Sequence, residues 1–251
     1  MNVLAKNPRE TRIESARELP KAQDISGYEI FSHGDTGAAH ALAHHLLDAG
    51  QIGTGRRLLG KWLDGRSGHG SDWVHLHFHM AIFELALGDW HRAHARFLAE
   101  VLPTAATTAD ALTDAPALLW RLAMTAPAGI ALPWQALRQT VLANLQQCDK
   151  PFVQLHNLLA LAGAGDSASI ERWLQGGCGA PQLTEERPVV LFAEALAALA
   201  AGSWQRASRM LRAIQPDVSR VGGSHAQNQL FEQLALWSAR QAEGAMTRRA
   251  A

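Results

Sequence analysis

The stretch that most constrains the fold of this chain is residues 75–103, HLHFHMAIFELALGDWHRAHARFLAEVLP. Apolar residues recur at helical spacing on both sides of its Gly-Asp step, which predicts two helices with one apolar stripe each. Gly88 can adopt the left-handed conformation that ends a helix, and Asp89 can accept from the free N–H groups that begin the next helix. The stretch therefore predicts a helical hairpin.

The same pattern recurs elsewhere in the chain. A small residue seven positions before the turn glycine, a large residue two after it, a small one five after and a large one nine after are shared by Gly50, Gly88 and Gly202. A weaker copy surrounds Gly165, where Leu158 replaces the small residue. These positions resemble those of the tetratricopeptide repeat. The sequence thus predicts an all-α fold, a tetratricopeptide-like solenoid of helical hairpins.

Longer strings carry a closer resemblance. They are HALAHHLLDAGQ at 40–51, HLHFHMAIFELALGDW at 75–90 with DAPALLWRLAM at 114–124, and GGSHAQNQLFEQ at 222–233. In order and spacing they resemble the tetratricopeptide repeat protein 38 family over roughly residues 38–240. The resemblance implies the fold but no particular activity. That family normally has further helical repeats before this portion, which are absent from this sequence.

The amino-acid composition limits the classes of partner that we expect this protein to bind. Lys plus Arg and Asp plus Glu both number 23, so no global charge attracts nucleic acid or an acidic membrane. No apolar run approaches the roughly 18 residues that span a bilayer, and the start has no signal-peptide core. Cys148 and Cys178 have no CxxC partner, which is typical of a reduced protein. We therefore expect a cytoplasmic protein that binds neither nucleic acid nor membrane.

Turn-forming residues divide the chain. Residues 1–36 are polar and contain several prolines and glycines, which predicts a partly ordered N-terminal arm. Residues 37–243 are expected to form a single helical repeat domain, and 244–251 a frayed tail. Either the arm covers the exposed end of the solenoid, or that end mediates homo-oligomerisation.

Histidine is the chemically unusual residue of this sequence. Ten of the twelve histidines lie between His33 and His94. His40 and His44 share one helix face, and His75 and His79 share the corresponding face of the next repeat. Since first helices of successive hairpins lie side by side in a solenoid, the two pairs can face each other. Neutral imidazoles so placed are ligands for zinc or iron.

Three interpretations of these histidines remain open: a metal site, a ligand groove lined by histidines without metal, and structural histidines. Glu84 and Asp114 are candidate carboxylate partners for the cluster. The pairs lack the central Glu of H-E-x-x-H, which excludes that metalloprotease signature. The remaining histidines near the pairs are interpreted as solvent-facing or peripheral: His45, His77, His91 and His94.

Further ligand-binding candidates lie outside the histidine pairs. Trp120 and Arg121 could supply a stacking surface and a carboxylate clamp, although a Trp at helical spacing is usually a core residue. Asp114 could bind a ligand or cap a helix. His225 lies in the first turn of the last helix, where N–H groups favour an anion, or it is simply part of the helix start.

Two classes of function follow. The first is a helical repeat scaffold that binds a peptide segment of a protein partner, or a small-molecule ligand, in a groove lined by histidines. The alternative is a metal-dependent enzyme that uses the paired histidines as ligands or acid/base groups. They differ in geometry, because a metal enzyme needs at least three nitrogens around one point and an open coordination position.

Overall fold

The computed structural model describes residues 35–147, 150–176 and 187–250, and every regular element in these ranges is helical. The all-α prediction is confirmed. The α-helices are α1 Thr36–Asp48, α2 Ile52–Leu63, α3 Ser71–Ala86, α4 Trp90–Arg96, α5 Leu102–Ala105, α6 Ala115–Thr125, α7 Trp134–Gln147, α8 Pro151–Gly163, α9 Ser167–Leu174, α10 Arg187–Ala200, α11 Trp204–Ile214, α12 Val218–Val221 and α13 His225–Ala250. A π-helical turn, Phe97–Val101, and two 3-10 turns, Ala109–Ala111 and Gln215–Asp217, connect some of them.

Glycine turns join the predicted helix pairs. Gly50, Gly88, Gly165 and Gly202 have φ of 66°, 77°, 72° and 68°, a backbone conformation that L side chains rarely adopt. Each turn is followed by a helix that contacts the one before it: α1 with α2, α3 with α4, α8 with α9, and α10 with α11. The hairpins that the spacing predicts are therefore present.

The small residue of the repeat pattern allows close helix packing. A Cβ added at Gly55 of α2 would lie 2.1 Å from Cε1 of Phe83 on α3. Ala81 and Ala93 are fully buried where α3 meets α4, and the Phe97 ring is buried beyond them. Small positions in the sequence thus mark where one helix touches the backbone of another.

Helix α3 belongs to both hydrophobic cores. Its Leu76 and Phe83 pack in a small core with α1 and α2. Its Val74 and Phe78 pack in a large core that continues as far as α13. A helix buried on opposite sides has little exposed surface, so histidines on α3 are held in a rigid setting.

Helix α13 folds back over the earlier helices. It packs on α11 and also contacts α6 and α1. Ser224 and Gln227 form the predicted capping box: the Ser224 N–H donates to Oε1 of Gln227 at 2.9 Å, and the Gln227 N–H donates to Oγ of Ser224 at 3.3 Å. The helix continues through 244–250, where the sequence predicts a frayed tail. The predicted arm falls almost entirely on 1–34, outside the described residues.

Among the helices that the structure describes, none is both long enough and apolar enough to cross a bilayer.

Candidate metal centre

Four histidines from α1 and α3 converge on one point. The Nε2 atoms of His40 and His44 are 2.8 Å apart, and those of His40 and His75 are 3.0 Å apart. The Nε2 atoms of His75 and His79 are 3.1 Å apart. One nitrogen from each ring lies within 4.8 Å of the others. The structure therefore brings the two predicted pairs together.

The helical period places these rings. Each pair spans one turn, so its two side chains leave the same face of a helix. Helices α1 and α3 pack side by side, and those faces meet. His79 is fully buried, while the other three rings are partly buried. The cluster thus has a buried end at His79 and a more accessible end at His40 and His44.

Asp114, at the start of α6, holds the ring of His75. Nδ1 of His75 donates to Oδ2 of Asp114 at 2.9 Å, and the Asp114 carboxylate is buried. Asp114 occupies the N-cap position of α6, as one interpretation predicts, but its side chain makes no capping hydrogen bond. Since Nδ1 carries the proton, neutral His75 turns the lone pair of Nε2 toward the cluster. Carboxylates on the far nitrogen of metal-bound histidines have this role.

Glu84, the other predicted carboxylate, has a different partner. It is 1% exposed and accepts two hydrogen bonds from the Arg96 guanidinium, at 2.8 and 3.0 Å. The guanidinium also donates to Nδ1 of His77 at 3.0 Å. Glu84 therefore neutralises Arg96 inside the second hairpin.

The position of His77 differs from the solvent-facing or peripheral one that the sequence predicts. It is 4% exposed rather than solvent-facing, because its face of α3 is covered by the Trp73 ring and Arg96. Burial lowers the pKa of His77 to about 4, assisted by the charge of Arg96 and opposed by Glu100. This side chain is a neutral acceptor at neutral pH and points away from the cluster.

The surroundings of three rings in the cluster favour the neutral imidazole, which keeps a nitrogen lone pair, over the protonated form. Burial, then the neighbouring His75 and His44, lower the pKa of His40 to about 4. Burial and His75 also lower the pKa of His44, and they lower that of His79 well below its usual value. These three rings are neutral at neutral pH.

His75 behaves differently from the other three rings. Burial lowers its pKa, but the hydrogen bond and charge of Asp114, together with the charge of Asp72, outweigh burial and raise the pKa overall. Any proton that the cluster takes up therefore goes first to His75.

The spacing suits a tetrahedral ion. Four nitrogens at 2.0–2.1 Å from zinc are separated by about 3.3 Å. The three Nε2 pairs within hydrogen-bond distance, at 2.8–3.1 Å, are shorter by a few tenths of an ångström, and every pair of ligand nitrogens lies within 4.8 Å. Small rotations of the rings would therefore create a four-nitrogen shell.

A small cavity opens beside the cluster. It has a volume of about 270 Å³ and is bounded by the starts of α1 and α3 and the segment before α6. His40 and His75 form one wall, and Asp72 and Asp110 lie among its other residues. We call it the acidic cavity. It lets a cation or a small polar molecule reach the accessible end of the cluster.

The other predicted ligand-binding residues lie elsewhere. Trp120 is in the large core, where its ring meets Trp134 and Trp237 and its N–H donates to the Leu159 carbonyl. Arg121 lines a second cavity, separate from the acidic cavity. The side chain of His225 lies outside the described residues.

Helix α13 contributes to that second cavity, which the sequence does not predict. Leu236 and Arg240 help to line it. No local pattern marks them, because their role depends on α13 folding back toward α1 and α6.

Comparison of the chain with protein families, curated proteins and solved structures finds no match. The geometry of the described side chains is therefore the basis for a functional assignment.

Proposed function

We propose that this chain is a tetratricopeptide-like helical protein whose first two hairpins hold a mononuclear transition-metal ion, with His40, His44, His75 and His79 as ligands. The observation that carries the proposal is the convergence of four imidazole rings, each of which offers one nitrogen within 4.8 Å of those of the others. Lone pairs brought this close repel one another unless a proton or a cation lies between them. A metal ion satisfies all of them at once.

The carboxylate at His75 adds independent support. A histidine with only a packing role has no need for a buried carboxylate on its far nitrogen. Asp114 supplies one at 2.9 Å, and this fixes the tautomer that a metal ligand needs. The bond also links α3 to α6, so the ligand ring is anchored from outside its own helix.

Zinc is the first choice of metal, and iron is the second. Imidazole suits zinc, copper, iron and nickel, and a tetrahedral nitrogen shell is the geometry that zinc adopts most readily. When bound, the ion would cross-link the two hairpins, and its binding free energy would add to the stability of the fold.

The solenoid arrangement and the relationship to the tetratricopeptide repeat protein 38 family are part of the same proposal. They are supported by the four glycine turns and by the close packing at Gly55 and Phe83. In such a solenoid, α1 and α3 are first helices and line the inner surface. The metal would then lie in the groove that these proteins use for binding.

A metal-dependent enzyme is the second candidate function. The acidic cavity favours it, since its volume of about 270 Å³ adjoins His40 and His75. Catalysis needs an open coordination position. That position would arise if one accessible histidine left the shell and served as a general base. A groove that binds a peptide without metal is the third candidate, and it does not need the four nitrogens to converge.

Metal content decides among these candidates. Untagged protein is analysed by inductively coupled plasma mass spectrometry, beside the double variant His40→Ala/His79→Ala. The matched control is His69→Ala/His91→Ala, which removes two exposed histidines outside the cluster. Wild type and control should carry near-stoichiometric zinc or iron that the cluster variant lacks.

A second measurement addresses the case in which the metal is lost during purification. Apo protein is titrated with Zn²⁺ and Fe²⁺ against a chromogenic chelator, and thermal unfolding is followed with and without metal. Ligand-linked stabilisation should appear in wild type and control only. If neither metal binds the apo wild type more tightly than the cluster variant, the metal-site and metal-enzyme proposals are both rejected.

A further inference from the structure

A second cavity lies between α13 and the ends of α1, α3 and α6. Its volume is about 380 Å³, within the range of small-molecule sites. Most of its wall is apolar, from Leu47, Ile52, Ile82, Leu85, Met124 and Leu236. We call it the arginine cavity because Arg121 and Arg240 also line it.

Arg121 provides a permanent charge at this cavity. It is 7% exposed, its Nη1 donates to the Ala117 carbonyl at 3.1 Å, and its guanidinium carbon lies 5.8 Å from the centre of the Phe78 ring. Burial lowers its pKa to about 10, against the charge of Asp114, so the group is still protonated at neutral pH. A buried cation beside an apolar space attracts an anion strongly, because little water screens it.

Positively charged side chains outnumber negatively charged ones in the wall of the arginine cavity. Arg121 and Arg240 share the wall with one carboxylate, Asp48, and the charge of Asp114 also acts on Arg121 from outside the wall. At the ends of α1 and α3, turn N–H groups already bond carbonyls of the last helical turn. The Gln51 N–H donates to the Leu46 carbonyl at 2.8 Å, and the Asp89 N–H donates to the Glu84 carbonyl at 2.9 Å.

From this combination we infer that the arginine cavity binds a small amphipathic carboxylic acid, with its carboxylate on the arginine side and its hydrocarbon body against the apolar wall. A guanidinium presents paired donors that match a carboxylate. The exposed Leu236, 48% accessible, becomes covered when the hydrocarbon body is in place. The site is distinct from the metal centre and does not require the metal.

The test uses calorimetric titration of the full chain with octanoate, octanol and octylammonium, which share a hydrocarbon tail and differ in charge. Octanoate should bind about tenfold more tightly than octanol, as expected for a hydrogen bond to a charged group. Octylammonium should bind most weakly. The Arg121→Met variant keeps the side-chain volume and should reduce octanoate affinity to that of octanol.

Two surface variants cover the case in which Arg121→Met does not fold. Arg240→Gln should weaken octanoate binding several-fold, and Leu236→Asp should weaken it at least about tenfold, because it places a negative charge beside the arginines. Arg57→Gln, an exposed arginine outside the cavity, is the matched control and should bind as wild type does.

The metal-site variant separates this inference from the proposed function. His40→Ala/His79→Ala should lose metal and keep octanoate binding. The inference is overturned if wild type binds octanoate no more tightly than octanol, or if the folded arginine-cavity variants all retain wild-type affinity. Loss of octanoate binding together with metal in the His40→Ala/His79→Ala variant would also overturn the claim of a separate site.

Discussion

His75 and Asp114 lie 39 positions apart in the chain, yet Nδ1 of the histidine donates to Oδ2 of the aspartate at 2.9 Å. This bond joins α3 to the start of α6 and leaves the other ring nitrogen of His75 facing three imidazoles. The contact fixes the orientation of the His75 ring from outside its own helix.

Removal of the charge of Asp114 is expected to weaken metal binding. Asp114→Asn keeps the shape of the side chain but no longer stabilises the required ring orientation electrostatically, so zinc affinity should fall about 10- to 100-fold. Chelator competition measures this. Asp110→Asn is the control, since Asp110 lines the acidic cavity but makes no hydrogen bond or ion pair with any of the four rings. Equal losses in both variants would show a nonspecific charge effect.

Zinc affinity should rise with pH. His75 has a raised pKa, so its proton competes with the ion until the pH exceeds that value, whereas His40, His44 and His79 are already neutral. Titrations between about pH 5.5 and 8.5 cover the relevant window. In Asp114→Asn the rise should shift to lower pH, because the main causes of the raised pKa are gone. An unchanged profile would mean that another group carries the competing proton.

His156 should make the fold sensitive to acid. It is fully buried, its Nδ1 donates to the Phe152 carbonyl at 2.8 Å, and burial lowers its pKa to about 4 despite that bond and the charge of Asp114. The unfolded chain takes up a proton near pH 6.5 while the folded chain does not. Stability is therefore full above pH 6.5 and falls as the pH drops toward 4.

The contribution of His156 to this fall is about 3 kcal/mol at most. Urea unfolding across this pH range, compared between wild type and His156→Leu, measures it. The variant should lose less stability on acidification. His91→Gln, at an exposed site, should behave as wild type does. Parallel curves for wild type and His156→Leu would rule out this role.

Gly55 and Gly53 are both in α2 and allow a matched comparison of two substitutions. Gly55→Ala places a Cβ 2.1 Å from the buried Phe83 ring and should destabilise the fold by about 1–3 kcal/mol. Gly53→Ala meets nothing within 4 Å and should leave stability unchanged or raise it by up to about 1 kcal/mol. Chemical denaturation gives both values. Similar effects at the two sites would contradict the close packing of α2 on α3.

Glu84 and Arg96 should be strongly coupled. Arg96→Met leaves the carboxylate of Glu84, 1% exposed, buried without its ion-pair partner, and should cost about 3–5 kcal/mol. The double variant Glu84→Met/Arg96→Met should recover much of that loss, because no buried charge remains. A double-mutant cycle measures the coupling. Additive effects would indicate that Arg96 contributes through packing alone.

Much of the architecture could be predicted from the chain. Turn glycines, capping residues such as Asp89, and the Ser224 and Gln227 box depend on local backbone geometry, and local geometry repeats wherever the sequence repeats. The two histidine pairs could also be predicted, since spacing by four residues places side chains on one helix face.

Other features could not be predicted. The sequence does not distinguish Asp114 from Glu84 as a carboxylate partner for the cluster. In the structure, Glu84 accepts hydrogen bonds from Arg96 of the adjacent helix, whereas Asp114 accepts one from His75. His77 has a solvent-facing pattern on its own helix, yet a neighbouring helix buries it. These contacts depend on which side chains of other helices pack nearby, and a local sequence pattern does not contain that information.

The sequence by itself determined the helices, their turns and the pairing of histidines along each helix, because these follow from backbone conformation and the 3.6-residue period. Only the tertiary structure decided that the two pairs share one point, that Asp114 anchors His75, and that α13 completes a cavity around Arg121. Those outcomes depend on long-range packing, in which the fit of whole helices selects the neighbours of each side chain.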